Sequence, residues 1–328
     1  MLKQTDQRNL WQQTAYVQIR QEVEPFRDLH LFRPLDQAYT GNNGFWAVPS
    51  PEPDLNDEFH RLVKSHLDDE YLKTAACQLA ADISDWEPDG ERLIFAAILR
   101  AGVPIADWLT RLIPGSAAVS LSLFVGLGID QPALNQIKKD YPDGKLVFVD
   151  GWTGRGGVSR AIKELKAGPL AVLIDPWGWA DFAGCREDIF CPTACFTGLS
   201  TLGFSRTFFI DKQSLFSAYG FPDKYCRPDL VHTWQALCPS AFSNVGHIGK
   251  GERFFKETGL RIHTNEVCRA LINASPKNLI FRDDAACVQT RFSLLQALAE
   301  RRKVPIIYGA SWLTDLKTRA ACELNIRS

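Results

Sequence analysis

Apolar residues fall along this chain in two rhythms. Short continuous apolar runs occur at residues 93–99, 119–124, 146–149 and 170–174. Runs of this length suit strands buried on both faces of a parallel sheet. Between them, apolar residues recur every three or four positions. Leu55, Phe59, Leu62, Val63, Leu67, Tyr71, Leu72, Cys77, Leu79 and Ile83 predict one or two helices ending near Asp85, with Asp54 or Asn56 as the cap. Further helices are predicted from the loop at 100–107 through Leu112, at 132–139, and at 158–166, where Val158, Ala161, Ile162 and Leu165 share a face. Strand alternating with helix argues for an α/β fold whose parallel sheet is flanked by helices and holds ligands at the C-terminal ends of its strands.

The flanks are patterned differently. Residues 1–53 read as an N-terminal arm, and 54–238 as the main domain. Within the latter, 177–225 is rich in Gly, Cys, Thr and aromatics and reads as loops and short strands over the site, followed by a helix at 228–238. Residues 239–257, with Gly246, Gly249 and Gly251, read as a linker. A small final unit, 258–328, is predicted as helix 265–272, strand 278–282, helix 291–300, strand 304–308 and helix 313–324, an α/β/α arrangement.

Composition adds little until it is divided. The 328 residues are 45% hydrophobic and 23% charged, an ordinary globular balance. No apolar run reaches membrane-spanning length and residues 1–20 carry no signal pattern, so a cytoplasmic protein without a membrane partner is expected. The 9 cysteines are scattered without CxxC pairs and read mainly as reduced, buried small hydrophobes. Net charge is −1, yet from Thr258 onward 11 Lys/Arg stand against 6 Asp/Glu. A basic tail on an acidic body is what a nucleic-acid-binding appendage would show.

Candidate chemistry sits at the strand ends. After the run at 146–149 come Asp150, Thr153, Gly154, Arg155, Gly156 and Gly157, then a helix. Backbone N–H groups approach a phosphate where there is no Cβ, and a helix N-terminus favours negative charge. The loop is neither a Walker A sequence nor G-x-G-x-x-G. Arg100, Ala101 and Gly102 follow the run at 93–99, and Asp175 ends the run at 170–174. Arg100 offers paired donors to phosphate oxygens.

These segments carry a resemblance. The Asp150 loop resembles the ribose-5-phosphate loop of type I phosphoribosyltransferases. Ile98-Leu-Arg-Ala-Gly102 resembles the pyrophosphate loop of the uracil-type members. Together with Asp-Gly-Trp-Thr-Gly154, Leu173-Ile-Asp-Pro176 and Ser205-Arg206-Thr207, residues 50–235 resemble the phosphoribosyltransferase-like family of tellurium-resistance-type operons, whose members are often labelled cysteine protease StiP. The resemblance implies a type I phosphoribosyltransferase-like fold and transfer from phosphoribosyl diphosphate to an unknown base or amine acceptor. Asp150 and Arg100 would then be catalytic. Thr153, Gly154, Arg155, Gly156 and Gly157 would hold the 5′-phosphate, Arg100, Ala101 and Gly102 the diphosphate, and Asp150 and Asp175 the Mg²⁺. The segment Leu123–Asp130 lacks the arginine usual in that family. That loss favours a non-catalytic nucleotide or RNA sensor, whereas the Arg100–Asp150 pair favours an enzyme. A cysteine hydrolase is the third reading, with Cys185, Cys191 or Cys195 as nucleophile and His232 or His247 as base.

In the tail, residues 263–271, 278–284 and 303–308 resemble the RNA-binding α/β/α domain of kink-turn-binding ribosomal proteins and Pelota. The resemblance implies that Asn265 and Glu266 read bases and Arg269 reads the backbone of RNA.

Overall fold

A computed structural model describes residues 10–34, 46–87, 90–240 and 260–324. The linker at 239–257 lies almost wholly outside the described residues. In chain order the first elements are β1 (Thr14–Ala15), β2 (Gln18–Glu22), α1 (Asp57–Ser65), α2 (Glu70–Trp86), β3 (Leu93–Ile98), α3 (Gly102–Leu112), β4 (Ala117–Leu121), β5 (Leu123–Phe124) and β6 (Gly128–Ile129). They are followed by α4 (Gln131–Asp140), β7 (Lys145–Trp152), α5 (Gly157–Leu165), β8 (Leu170–Ile174), β9 (Phe182–Cys185), α6 (Gly198–Thr201), β10 (Ser217–Gly220) and α7 (Pro228–Ala236). The last stretch holds β11 (Leu260–Ile262), α8 (Thr264–Asn273), β12 (Asn278–Phe281), α9 (Ala285–Arg291), α10 (Ser293–Arg301), β13 (Ile306–Ile307) and β14 (Ala320–Glu323).

The main sheet has six strands in the order β1-β4-β3-β7-β8-β9, every neighbouring pair parallel. This is the mixed α/β fold with a central parallel sheet expected from the apolar runs. Every residue of β3 and of β8 is buried, as a strand covered by helices on both faces requires. The helices begin where side chains satisfy their first N–H groups. Asn56 accepts from Phe59 N at 3.0 Å, Asp69 from Tyr71 N at 2.8 Å, and Asp130 from Ala133 N at 3.0 Å. Helices α3 and α7 are clasped by Trp108 and Trp234, whose rings stack at 3.8 Å. Each indole N–H also finds a carbonyl on the facing helix, Trp234 O at 2.8 Å and Pro104 O at 2.9 Å.

The N-terminal arm is part of the sheet system rather than an addition to it: β1 extends the main sheet beside β4, and β2 pairs with β10. The run at 119–124 breaks at Ser122 into β4 and β5, and β5 turns back onto β6 as a short antiparallel pair.

The C-terminal sheet has the order β11-β14-β12-β13. Here the helix expected over 313–324 is absent. Its place is taken by a 3-10 turn, Ser311–Thr314, and by β14, which lies between β11 and β12 and is antiparallel to both. Ala320, Ala321 and Cys322 are small enough to suit either conformation, and the open edges of β11 and β12 decided for strand. The helix expected over 291–300 is α10, and a further helix, α9, precedes it and meets it at Phe292.

One hydrophobic core runs through both sheets. Phe196 and Leu202 belong to the same buried cluster as Val267, Cys268 and Leu271 of α8. The polar centre of this junction is Asp188, which follows β9. Its carboxylate accepts from Thr264 Oγ1 at 2.7 Å, Thr318 Oγ1 at 2.8 Å, Arg319 N at 2.7 Å and Thr264 N at 3.1 Å, with His263 Nδ1 at 3.3 Å. Burial alone would raise the acid, but the facing His263 and these donors hold it below its ordinary 3.8. A depressed carboxyl contributes stability that is complete above the unfolded value and is lost as pH falls through the folded one. Chemical denaturation of the wild type should therefore show stability dropping below about pH 4. Asp188→Asn should cost about 3–5 kcal/mol at pH 7 and flatten that acid limb; an unchanged limb would remove Asp188 as its origin.

Candidate ligand site

The turns after β3 and β7 meet at the C-terminal edge of the sheet. Leu99 and Arg100 are joined by a cis peptide bond. The Arg100 guanidinium pairs with Glu52 of the N-terminal arm and donates to Asn273 Oδ1 of α8 at 3.1 Å. Gly102 starts α3 so close to β7 that a Cβ there would stand 2.1 Å from Val149 O. Its role is packing of helix on strand, and it does not reach the ligand cavity.

β7 runs on through Asp150 to Trp152. Asp150 is buried, and its Oδ1 accepts from Gly151 N at 2.8 Å. Burial, the largest cause, pushes its carboxyl up to about 7, and nearby Glu266 adds to the rise, while Arg269 and the Gly151 N–H oppose it. The loop then turns through Gly156, whose φ of +77° favours glycine. A Cβ there would also meet the Trp179 ring at 2.5 Å. Gly156 is the N-cap of α5 and brings no side chain to its first N–H groups.

Between these turns and α8 lies a cavity of about 480 Å³. Arg100, Ala101, Asp150, Thr153, Gly154, Arg155, Gly156 and Gly157 all line it, so eight of the positions singled out in the sequence do converge. Arg160, Arg206 and Arg261 line it as well. Glu266 and Arg269 line it from α8. The wall thus carries six arginines against two carboxylates, Asp150 and Glu266. Glu266 Oε1 accepts from Trp152 Nε1 at 2.9 Å and from Arg269 Nη1 at 3.3 Å, and Oε2 from Arg261 Nη1 at 3.5 Å. These partners hold Glu266 below its ordinary value despite burial, so it is ionised. A cationic wall with a helix N-terminus in it is a site for an anionic group.

Two predicted ligands to Mg²⁺ do not fit that role. Asp175 lies off the cavity with its acceptor directions filled. Its Oδ1 accepts from Thr153 Oγ1 at 2.5 Å and Gly178 N at 3.0 Å, its Oδ2 from Ala180 N at 2.8 Å and Arg186 Nη1 at 2.7 Å. Asp150 shares the cavity with one other carboxylate, Glu266, which is already paired with Arg261 and Arg269, and among the described residues no group of three or more His, Cys, Asp or Glu could hold a metal.

The tail residues are turned inward. Asn265 is fully buried, its Oδ1 accepting from Cys191 N at 2.8 Å and its Nδ2 donating to Ile189 O at 2.8 Å. An amide spent in this way presents no edge to a base. The helix that resembled an RNA-reading element is the lid-side wall of the cavity instead. Glu52 and Arg261 escaped the sequence reading because nothing local distinguishes them, and Trp152 stood in a quoted motif without a role. Arg206 stood in a quoted motif, yet only the fold shows it lining one cavity with Arg155 and Arg269.

The fold and site define an α/β protein with a parallel sheet and an anion-recognising cavity at its strand ends. A family profile described as "Tellurite-like stress resistance cysteine protease StiP" matches residues 40–221, and the chain belongs to this StiP family. A relative from Acinetobacter baylyi named "Cysteine protease StiP" is 32% identical over 116 residues, covering 31% of this chain and 30% of that protein. The chain therefore spans less than a third of the length of that relative. These matches overturn the transferase reading, including phosphoribosyl diphosphate as donor and RNA as partner of the tail, because the family is described as a cysteine protease. No described helix is long and apolar enough to cross a membrane.

Asp150 makes the site sensitive to pH. Between about pH 4 and 7 the folded protein holds a proton that the unfolded chain has released, so stability falls as pH rises through that window. Asp150→Asn should abolish this slope and melt several degrees above the wild type at pH 8. Parallel melts of the two proteins from pH 5 to 8 that stay superimposed would refute it.

Proposed function

We propose that the chain is a thiol hydrolase of the StiP family that grips an anionic group of its substrate, a carboxylate or a phosphate, in the arginine-lined cavity. The family match supports the hydrolase class, and the six arginines on one wall support the anionic substrate. The turns after β3 and β7 also support a fold kinship with type I phosphoribosyltransferases, without their reaction.

The matched region contains Cys77, Cys185, Cys191 and Cys195. Burial pushes the Cys191 thiol up to about 11, and its Sγ lies 3.0 Å from Thr193 Oγ1. Cys195 is buried against Cys268. Burial also raises Cys77, which sits within α2. Cys185 is the observation that carries the assignment. It ends β9 at the C-terminal edge of the sheet, is partly exposed, and its Sγ accepts from Glu187 N at 3.3 Å, beside the Arg186 guanidinium. A backbone donor and a neighbouring cation favour the thiolate, the nucleophilic form. Burial is the larger influence and leaves the thiol above its ordinary value, so the nucleophile is mostly protonated at neutral pH. His232 is exposed on α7, and His247 lies outside the described residues.

Hydrolysis of fluorescent casein by the purified chain should rise steadily from about pH 7 to 9.5 as the thiolate forms. Cys185→Ala should lower the rate at least about a hundredfold, with Cys77→Ala near wild type. Full activity in Cys185→Ala would remove the assignment. The cavity is tested separately: inorganic phosphate should raise the melting temperature of the wild type, and Arg206→Ala combined with Arg269→Ala should weaken that response about tenfold or more. Equal responses would move the anion site elsewhere.

A further inference from the structure

Two buried thiols meet across the junction between the two sheets. Cys195 closes the 3-10 turn Pro192–Cys195 on the main-sheet side, and Cys268 lies in the middle of α8. Their Sγ atoms are 3.7 Å apart, although 73 residues separate them in sequence. This is sulfur–sulfur contact, reached from two different sheets. Cys268 is held well above its ordinary value by burial and by Cys195, so it waits as a thiol. The pair stands directly behind the cavity wall. Ala194 and Phe196, on either side of Cys195, line the cavity, as does Arg269 next to Cys268. Neither cysteine lines the cavity itself, but each is flanked in sequence by residues that do.

We propose that Cys195 and Cys268 are a redox-responsive pair that closes to a disulfide, fastening α8 and its cavity residues to the main sheet. The oxidant is a peroxide. The Cys195 sulfur attacks one peroxide oxygen, the O–O bond breaks, and a sulfenic acid forms with release of water or alcohol. The Cys268 sulfur then attacks the sulfenic sulfur, its proton leaves with the hydroxyl as a second molecule of water, and the S–S bond forms. Two thiols lose two protons and two electrons, and the peroxide is reduced. A thiol reductant reverses the step by exchange. Because the bond would close a long loop, it restrains the unfolded chain strongly. Because α8 carries Glu266 and Arg269, it also fixes one wall of the cavity. The inference stands on the sulfur geometry and does not depend on the hydrolase assignment.

The test maps the bond in the full chain. Protein reduced and freed of reductant is treated with hydrogen peroxide, blocked with iodoacetamide, digested without reduction and analysed by mass spectrometry. The expected result is a linked peptide pair containing Cys195 and Cys268, lost on treatment with dithiothreitol, and a melting temperature several degrees above that of reduced protein. Cys268→Ala should show neither the link nor the rise, while Cys191→Ala should keep both. If Cys185 and Cys287 are oxidised in the wild type and the 195–268 link never forms, the proposal is overturned; a link from Cys191 to either partner overturns it equally. The wild-type mapping decides the matter even if a variant folds poorly.

Discussion

A single buried carboxylate ties the C-terminal sheet of this protein to its main sheet. Asp188 accepts from groups on Thr264, Thr318 and Arg319, which come from two separate stretches of the C-terminal unit. A buried charge is tolerated only where donors surround it, so the segment after β9 and the start of α8 must come together in one arrangement. The cost is visible at His263, which adopts a φ of +94°, unusual for a residue with a side chain. That backbone is held on its own: His263 N donates to Ala320 O at 3.0 Å and to Thr318 Oγ1 at 3.0 Å. The direction in which α8 leaves this knot is what brings Glu266 and Arg269 to the main sheet.

The cavity follows from that docking. Its cations are balanced in part before any ligand arrives. Glu52 pairs with Arg100, and Glu266 is shared by Arg261 and Arg269. Asp150, pushed to about 7, contributes half a charge or less at neutrality. Six arginines and two carboxylates line the recess, where fields are screened less than in open water. The chemistry of the site is therefore set by two protein units together, and neither presents it alone.

Much of the main sheet was legible from local pattern. The runs at 93–99, 146–149 and 170–174 are strands because nothing but apolar residues fits between two helical layers. The loops after them carry Arg100, Asp150 and the glycines, and these do converge because parallel strands put their C-terminal ends on one edge. The reading failed where short range was ambiguous. Residues 320–323, expected to be helical, are strand because β11 and β12 lie on either side. The tail's Asn265 and Glu266 looked like surface readers because a helix start with a polar pair is the same string of letters whether it faces water or protein. Of the cysteines, expected to be mainly buried, four are buried and five half-buried, and the proximity of Cys195 to Cys268 carries no local mark.

By itself the sequence determined the layered α/β architecture, the order of the strand-end loops and the glycines those loops need, since each depends on contacts or dihedral limits within a few residues. Only the tertiary structure decided that Glu52 neutralises Arg100, that α8 closes the cavity, that Asp175 is saturated by hydrogen bonds and that Cys195 touches Cys268. Except at Asp175, whose partners lie within 22 residues, those outcomes depend on groups 48 to 173 residues apart, whose meeting is governed by the burial of Asp188 and the shared core rather than by any neighbour in the chain.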